Sequence, residues 1–321
     1  MTAVSLVKKF FDSYIMNESD LLDDLLDTEI TIDYSTLGSI SGKEAVKKAL
    51  ALNEDFTYRY NILSNLIDYK KEDTSVVICN VFHFLIKEYS SYNVASATSS
   101  VNGQVFPLVY GGKYKFIVEN DKIKAVSFDL EAQMGNTYWA KKNWQWHLYD
   151  ETKHDPRRVL LDETRTYEKT DEQQNIIRRI YEFMLLVDTR QSDLFKQYVT
   201  EDGIYSYRDA TRQGMGISED TRTRVSIMNL VNHIDDREYQ SHHSCRIIDV
   251  KVDGDEAEVT LEMFEPTKLG YKHLFSNNVY QPYYNEQWKL KLVKKEDWIV
   301  SSADRKAVSK FQKVSYKTLC I

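Results

Sequence analysis

The sequence predicts an α+β protein built from two tandem copies of one domain, each with three N-terminal helices packed in a curved antiparallel sheet. Three observations predict it: the chain matches itself at a long offset, helical periodicity opens each match, and strand alternation fills the rest. Under a shift of 173 positions Val4 meets Ile177, Val7 meets Ile180, Phe10 meets Phe183 and Tyr34 meets Tyr207. The offset then widens, so that Leu66-Ile67-Asp68 meets Ile247-Ile248-Asp249 and Tyr114-Lys115-Phe116 meets Trp288-Lys289-Leu290. A period this long is a whole domain and not a solenoid unit. The copies are expected at 1–140 and 171–321, with a connector at 141–170.

Val4, Val7, Phe10, Phe11 and Tyr14 fall on one face of a helix, as do Ile176, Ile177, Ile180, Phe183, Met184 and Val187. Short second helices are expected at Leu21–Leu26 and Leu194–Val199, and strands at Ile30–Tyr34 and Gly203–Tyr207. Third helices are expected at Lys43–Leu52 and Glu219–Val231, the latter capped by Ser218. The remainder of each copy is strand only: Tyr58–Tyr69, Ser75–Ile86, Pro107–Glu119 and Lys122–Gln133 in one, Tyr239–Val252, Ala257–Glu265, Tyr280–Lys294 and Trp298–Val308 in the other. Helices first and strands after is the α+β signature. Long loops at Tyr89–Phe106 and Lys268–Gln281 are expected near a pocket mouth or at the contact between copies.

The hydrophobic fraction of 42% supports real cores, and the net charge of −7 with no basic block argues against a nucleic-acid surface. Three cysteines far apart in sequence form neither a disulfide framework nor a metal pair. No apolar leader opens the chain and no run approaches the ~18 apolar residues of a membrane span, so a cytoplasmic protein with no membrane partner is expected. His147, His154 and Asp155 in the connector lack a ligating helical spacing and read as a solvated linker, with no metal expected. The strand from Val76 to Ile86 is apolar on both faces, so both must be covered. The other copy is the economical cover, which gives an intramolecular pseudo-dimer whose sheets face each other and leaves room for a homo-oligomer.

The order helix, helix, strand, helix and four-strand meander resembles the nuclear transport factor 2-like (SnoaL-like) superfamily. Local runs agree: Val187 to Leu194 followed by Thr200-Glu201-Asp202-Gly203, and Ser241-His242-His243 followed by Asp249 to Ala257. Phe11-Asp12-Ser13-Tyr14 with Ile32-Asp33-Tyr34 is similar to the entry of scytalone dehydratases within that superfamily. The resemblance implies a cone in each copy: a cystatin-like sheet curled around its helices, with an apolar pocket at the mouth. In its dehydratase and ketosteroid isomerase-like members an Asp and a His move a proton, tyrosines hold the substrate oxygen, and no cofactor is used.

Carried onto this chain, the resemblance makes Asp188 and His242 catalytic candidates, with Tyr207 and Tyr205 as substrate-binding candidates. Glu265 lies in phase with Val259, Leu261 and Met263, so it is expected to point inward with them as a third catalytic candidate. Thr267 stands nearest the scytalone dehydratase histidine. Adjacent strand residues point oppositely, so only one of His242 and His243 is expected inside, and His242 is the one assigned. Copy one has Ile15 where copy two has Asp188 and lacks the strand histidine, but keeps Tyr34 and has His83 facing the Glu265 position. It reads as a degenerate or binding-only pocket. Blander readings stand beside these: Asp188 as a surface residue, Tyr34 and Tyr207 as core, Glu265 paired with Lys291 across strands. The function expected is a cofactor-independent dehydratase (a lyase) or isomerase on a small apolar cyclic or steroid-like molecule. The alternatives are a non-catalytic binding module and an association scaffold.

Overall fold

The computed structural model describes residues 1–16, 18–51, 58–89, 104–135, 155–209, 218–223, 239–240, 242–266, 268–269 and 283–311. The first half runs α1 (Ala3–Met16), α2 (Ser19–Leu25), β1 (Leu26–Tyr34), β2 (Gly38–Ser41), α3 (Lys43–Leu50), β3 (Tyr58–Lys71), β4 (Thr74–Tyr89), β5 (Gln104–Glu119) and β6 (Lys122–Gly135). After a single 3-10 turn at Pro156–Arg158 come α4 (Glu172–Thr189), α5 (Ser192–Phe195), β7 (Val199–Asp209), β8 (Ser218–Thr223), β9 (Tyr239–Gln240), β10 (Ser244–Asp253), β11 (Glu256–Pro266), β12 (Lys268–Leu269), β13 (Tyr283–Lys294) and β14 (Trp298–Phe311). Among these residues no helix is long and apolar enough to cross a membrane.

The fold is α+β with two separate six-stranded sheets. The first is ordered β2-β1-β6-β5-β4-β3 and the second β8-β7-β14-β13-β11-β10, which is the same order read element for element. Each has one parallel pair, β1 with β6 and β7 with β14; the other pairs are antiparallel.

Strand β2 is not among the sequence expectations, and the helix expected at Leu194–Val199 ends at Phe195 with Val199 opening β7; two further elements depart more sharply. Ser218–Thr223, expected to begin a helix, is strand β8, hydrogen-bonded to β7 in the register Ser206↔Thr221. It repeats the β1–β2 hairpin of the first half, where Ile32 faces Ile40. Thr221 and Thr223, both β-branched, suit a strand edge better than a first helical turn; the remainder of the expected helix, 224–231, lies outside the described residues. The strand expected from Tyr239 to Val252 is broken into β9 and β10, with His242 and His243 between them in no regular element. Of the loops expected at Tyr89–Phe106 and Lys268–Gln281, Tyr89, Gln104 to Phe106 and Lys268–Leu269 are strand, and the rest lies outside the described residues, as do His147 and His154.

Each half builds its core from the face that periodicity predicts. Leu6, Val7, Phe10 and Phe11 of α1 pack on Val77, Cys79 and Val81 of β4 and on Phe116 and Phe128 behind them. Asp171 caps α4, its carboxylate accepting from Gln174 N at 2.8 Å. Ile180 and Phe183 of that helix join Val259, Leu261 and Met263 of β11.

The outer face of the first sheet is covered, but not by the second sheet's outer face. Ile67, Tyr69, Val76 and Ile78 belong to the same core cluster as Ile176, Ile180 and Phe183 of α4. The first sheet therefore lies against the helix of the second half, and α4 is buried on several sides. The outer side of the second sheet carries Glu258, Glu262, Lys289 and Lys291 and is exposed, so the expected sheet-to-sheet arrangement is replaced by an asymmetric one.

Part of the connector is anchored by packing and hydrogen bonds, while Asp155, Glu163, Thr164 and Glu168 to Asp171 are exposed. Val159 and Leu161 are buried, and Asp162 accepts from Tyr69 Oη at 2.7 Å, Lys115 Nζ at 2.7 Å and Lys71 Nζ at 2.9 Å. Thr166 and Lys70 exchange backbone hydrogen bonds of 2.8 and 2.9 Å, which pairs part of the open edge of β3. Further on, Arg165 and Tyr167 close over the buried Glu182 of α4, which also accepts from Tyr198 Oη at 2.7 Å.

Because Ile78 serves the core of the other half, Ile78→Ala should lower stability by about 2–5 kcal/mol and speed hydrogen exchange at the amides of α4. An effect on urea unfolding with no change in α4 exchange would mean that the halves do not share this core.

Candidate functional site

Asp188 sits in the last turn of α4, which ends when Arg190 adopts the left-handed conformation at φ 59. A carboxylate there meets the negative end of the helix dipole and is disfavoured. Its side chain is also fully buried, so it needs partners, and three converge on it. His243 Nδ1 bonds to Oδ1. The His243 backbone N–H donates to Oδ2 at 3.0 Å, and Lys113 Nζ lies 3.3 Å from Oδ2. Burial alone would raise the Asp188 pKa; Lys113 and His243 outweigh it and hold the carboxyl at about 2.

His242 and His243 are both buried, at 0% and 3% exposure. Strand alternation fails here because the backbone leaves the sheet between β9 and β10. The two rings serve different acids: His243, not His242, meets Asp188, while His242 Nδ1 meets Glu131 of the first half. On its other side His242 Nε2 lies 2.9 Å from Ser244 Oγ, and its ring stands edge-on to Phe82 at 4.9 Å. With Nδ1–H given to a carboxylate, neutral His243 carries its lone pair on Nε2, the arrangement of an oriented general base.

Lys113 joins the two pairs, bonding Glu131 on one side and Asp188 on the other at 1% exposure. Burial opposes its charge, but Asp188 and Glu131 more than compensate and raise its pKa. Glu131 is held below its usual range by Lys113 and His242 despite its burial. The strands prepare this place. Across β5 and β6 the register slips between Gly111↔Ala132 and Gly112↔Leu130, leaving Glu131 as the extra residue of a bulge. A Cβ on Gly112 would overlap the Asp129 carbonyl oxygen, so only glycine permits that approach.

The wall beside His243 is Trp288, edge-on at 5.9 Å. Trp288 donates Nε1–H to Glu286 at 2.6 Å, and Arg305 bonds the same carboxylate at 3.0 Å. Tyr205 is buried, stacked 6.2 Å from Phe183, and among the described residues its hydroxyl has no hydrogen-bond partner. The side chains of Tyr207 and Glu265 and all of Thr267 lie outside the described residues.

In the first half, His83 is enclosed. Its ring nitrogens lie 2.6 Å from Asn61 Oδ1 and 2.9 Å from Tyr114 Oη, it stacks on Tyr110 at 4.5 Å, and burial pushes its pKa down to about 3. Tyr34 is core, packed edge-on to Phe128 at 5.2 Å. Lys113, Glu131 and the pairing of His243 are not among the sequence expectations. The signal that could find Lys113 is phase: it alternates with Tyr114 and Phe116, which places it on the face that has to be covered.

A depressed carboxyl pKa stabilises the fold above the unfolded value, and that stability is lost as pH falls through the folded value. Asp188 therefore contributes an acid-sensitive part between about 3.8 and about 2. Asp188→Asn should unfold less steeply with falling pH across that window in urea titrations than the wild type. Equal slopes would mean that Asp188 is not held ionised.

Residues 168–291 match the family model described as a SnoaL-like domain. No curated protein matches the chain. Solved structures similar to it include a hexachlorocyclohexane dehydrochlorinase, LinA-type3, from Novosphingobium barchaimii, at 12% identity and TM-score 0.34, over 44% of this chain and 88% of that one. A nuclear transport factor 2-like protein with a cystatin-like fold from Novosphingobium aromaticivorans matches at 12% identity and TM-score 0.32, over 43% and 82%. A nuclear transport factor 2-like protein of unknown function from Silicibacter pomeroyi matches at 11% identity and TM-score 0.29, over 42% and 94%. The stretch that matches the SnoaL-like domain model, residues 168–291, includes both Asp188 and His243.

Proposed function

We propose that the second half binds a small apolar molecule and moves a proton on it, as a cofactor-independent dehydratase or isomerase does. The observation that carries this is the buried Asp188–His243 pair, with the carboxylate held ionised and the imidazole in one orientation. In such a reaction His243 takes a proton from carbon, and in an elimination it passes that proton to the departing hydroxyl, which leaves as water. Asp188 stabilises the imidazolium that results, and the same ring returns the proton. The Tyr205 hydroxyl supports the reading, because a buried phenol costs free energy until it finds a partner; a substrate oxygen would supply one.

The chemistry is assigned to His243 and not to His242, because the acid that His243 meets, Asp188, lies in the second half and is held ionised, whereas His242 pairs with Glu131 of the first half. His83, enclosed by its own core, has no part in it.

A thermal-shift panel of steroid, polyketide and terpenoid ligands comes first. Ligands that raise the melting temperature of the wild type should do so less for Tyr205→Phe. With any ligand that is turned over, Asp188→Asn and His243→Gln should each lower kcat about 10²–10⁴-fold, while His83→Asn leaves it nearly unchanged. A ligand that stabilises the protein without being converted would make this a binding module. A panel with no stabilising ligand would remove the small-molecule reading.

A further inference from the structure

We propose that the site is composite: Lys113 of the first half is the positioning residue that fixes the Asp188 carboxylate against His243, and the Glu131–His242 pair is the counterpart that fixes Lys113. This rests on reading Asp188–His243 as the working pair. It adds that the second half does not hold the whole site.

Lys113 Nζ bonds Glu131 and lies 3.3 Å from Asp188, so one ammonium spans two acid–histidine pairs. The backbone at His243 is held from the same side. Asn80 Nδ2 donates to the His243 carbonyl at 2.8 Å, Asn65 donates to the same oxygen, and Asn65 Oδ1 accepts from Cys245 N at 2.9 Å. Asn65 reaches it from a left-handed residue, φ 50, at the bulge in β3 between Ser64 and Ile67.

Charge ties the halves together at the same place. The groups around His243 are Asp188 of α4, His242 beside it, Glu286 of β13 with Arg305 of β14, and Lys113, Glu131 and Asp129 of the first half. Arg305 is engaged by Glu286. Among the described residues the lysine or arginine paired with Asp188 is Lys113. Lys113, Asp188 and Glu131 sum to one negative charge, which a proton on His243 offsets. The ease with which His243 takes a proton therefore depends on first-half residues.

Stability alone gives little reason to keep such a cluster. Buried ions are weak stabilisers, since well-packed apolar residues of similar volume do as well or better. Retaining one lysine between two histidine–carboxylate pairs fits a positioned proton acceptor better than a structural strut.

The test is a pH titration of the histidine rings by ¹⁵N NMR in the full-length chain, with His243→Gln used for assignment. No substrate is needed, so failure of this inference and failure of the proposed reaction are told apart. Lys113→Met removes a cation beside the pair and should raise the His243 midpoint by about one pH unit or more. Glu131→Gln removes an anion and should lower it. Lys113→Arg should stay near the wild type, as should Lys289→Met on the exposed outer face. Should Lys113→Met fail to fold, Glu131→Gln, which keeps the shape, decides by its sign. Midpoints that move the same way in both variants, or His243 shifts that stay fixed from about pH 5 to about pH 9 in every variant, would overturn the composite site.

Discussion

One lysine between two carboxylates sets much of what surrounds it. Lys113 has left water almost completely, and an unpaired ammonium there would be too costly to keep. Asp188 and Glu131 make it tolerable, and it makes them tolerable in turn. Losing one member of such a cluster commonly costs about 3–5 kcal/mol, because the others remain buried and uncompensated. The arrangement needs a bulge to bring Glu131 forward, a glycine at 112 to let β5 approach Asp129, and a helix that ends at Thr189. Each is a backbone feature of its own element, and they meet at one point.

The dryness of that point comes from unequal covering. The first sheet is covered by α1 on one face and by α4 on the other, so β4 is apolar along both sides. The second sheet encloses α4 but leaves its own back to solvent, and there Glu258, Glu262, Lys289 and Lys291 alternate with buried Val259, Leu261 and Leu290. The same strand order thus coexists with two different burial patterns. A wet sheet alternates, and a sandwiched one does not.

Much of this is legible in the sequence. Periodicity locates α1, α4 and the long strands, and the doubly apolar run at Val76 announces that something must cover it. Asp188 is singled out by the resemblance, since periodicity alone gives only its place at the end of an amphipathic helix. The pairing of the histidines is not, since alternation assumes a continuous strand and the backbone breaks at His242. Lys113 and Glu131 are hidden for another reason. A lysine and a glutamate on strands normally read as solvent-facing, and only the packing of one half on the other turns that face inward. The short strand β8 reads wrongly as a helix start because a polar run after Ser218 satisfies a helix cap as readily as a hairpin edge, and the choice is made by pairing with β7.

The filled interior of the first half has a consequence for inheritance. Rings of Phe11, Tyr110 and Tyr114 surround His83 and fill that interior. Once such a half is bound to its twin through a shared helix and a shared ion cluster, neither can be discarded, swapped or copied again alone. Drift in the first half is then restrained by the needs of its neighbour, at positions such as Gly112 and Asn65 that touch no part of its own core chemistry. The two halves are held together by packing and by charge, so neither is a spare copy of the other.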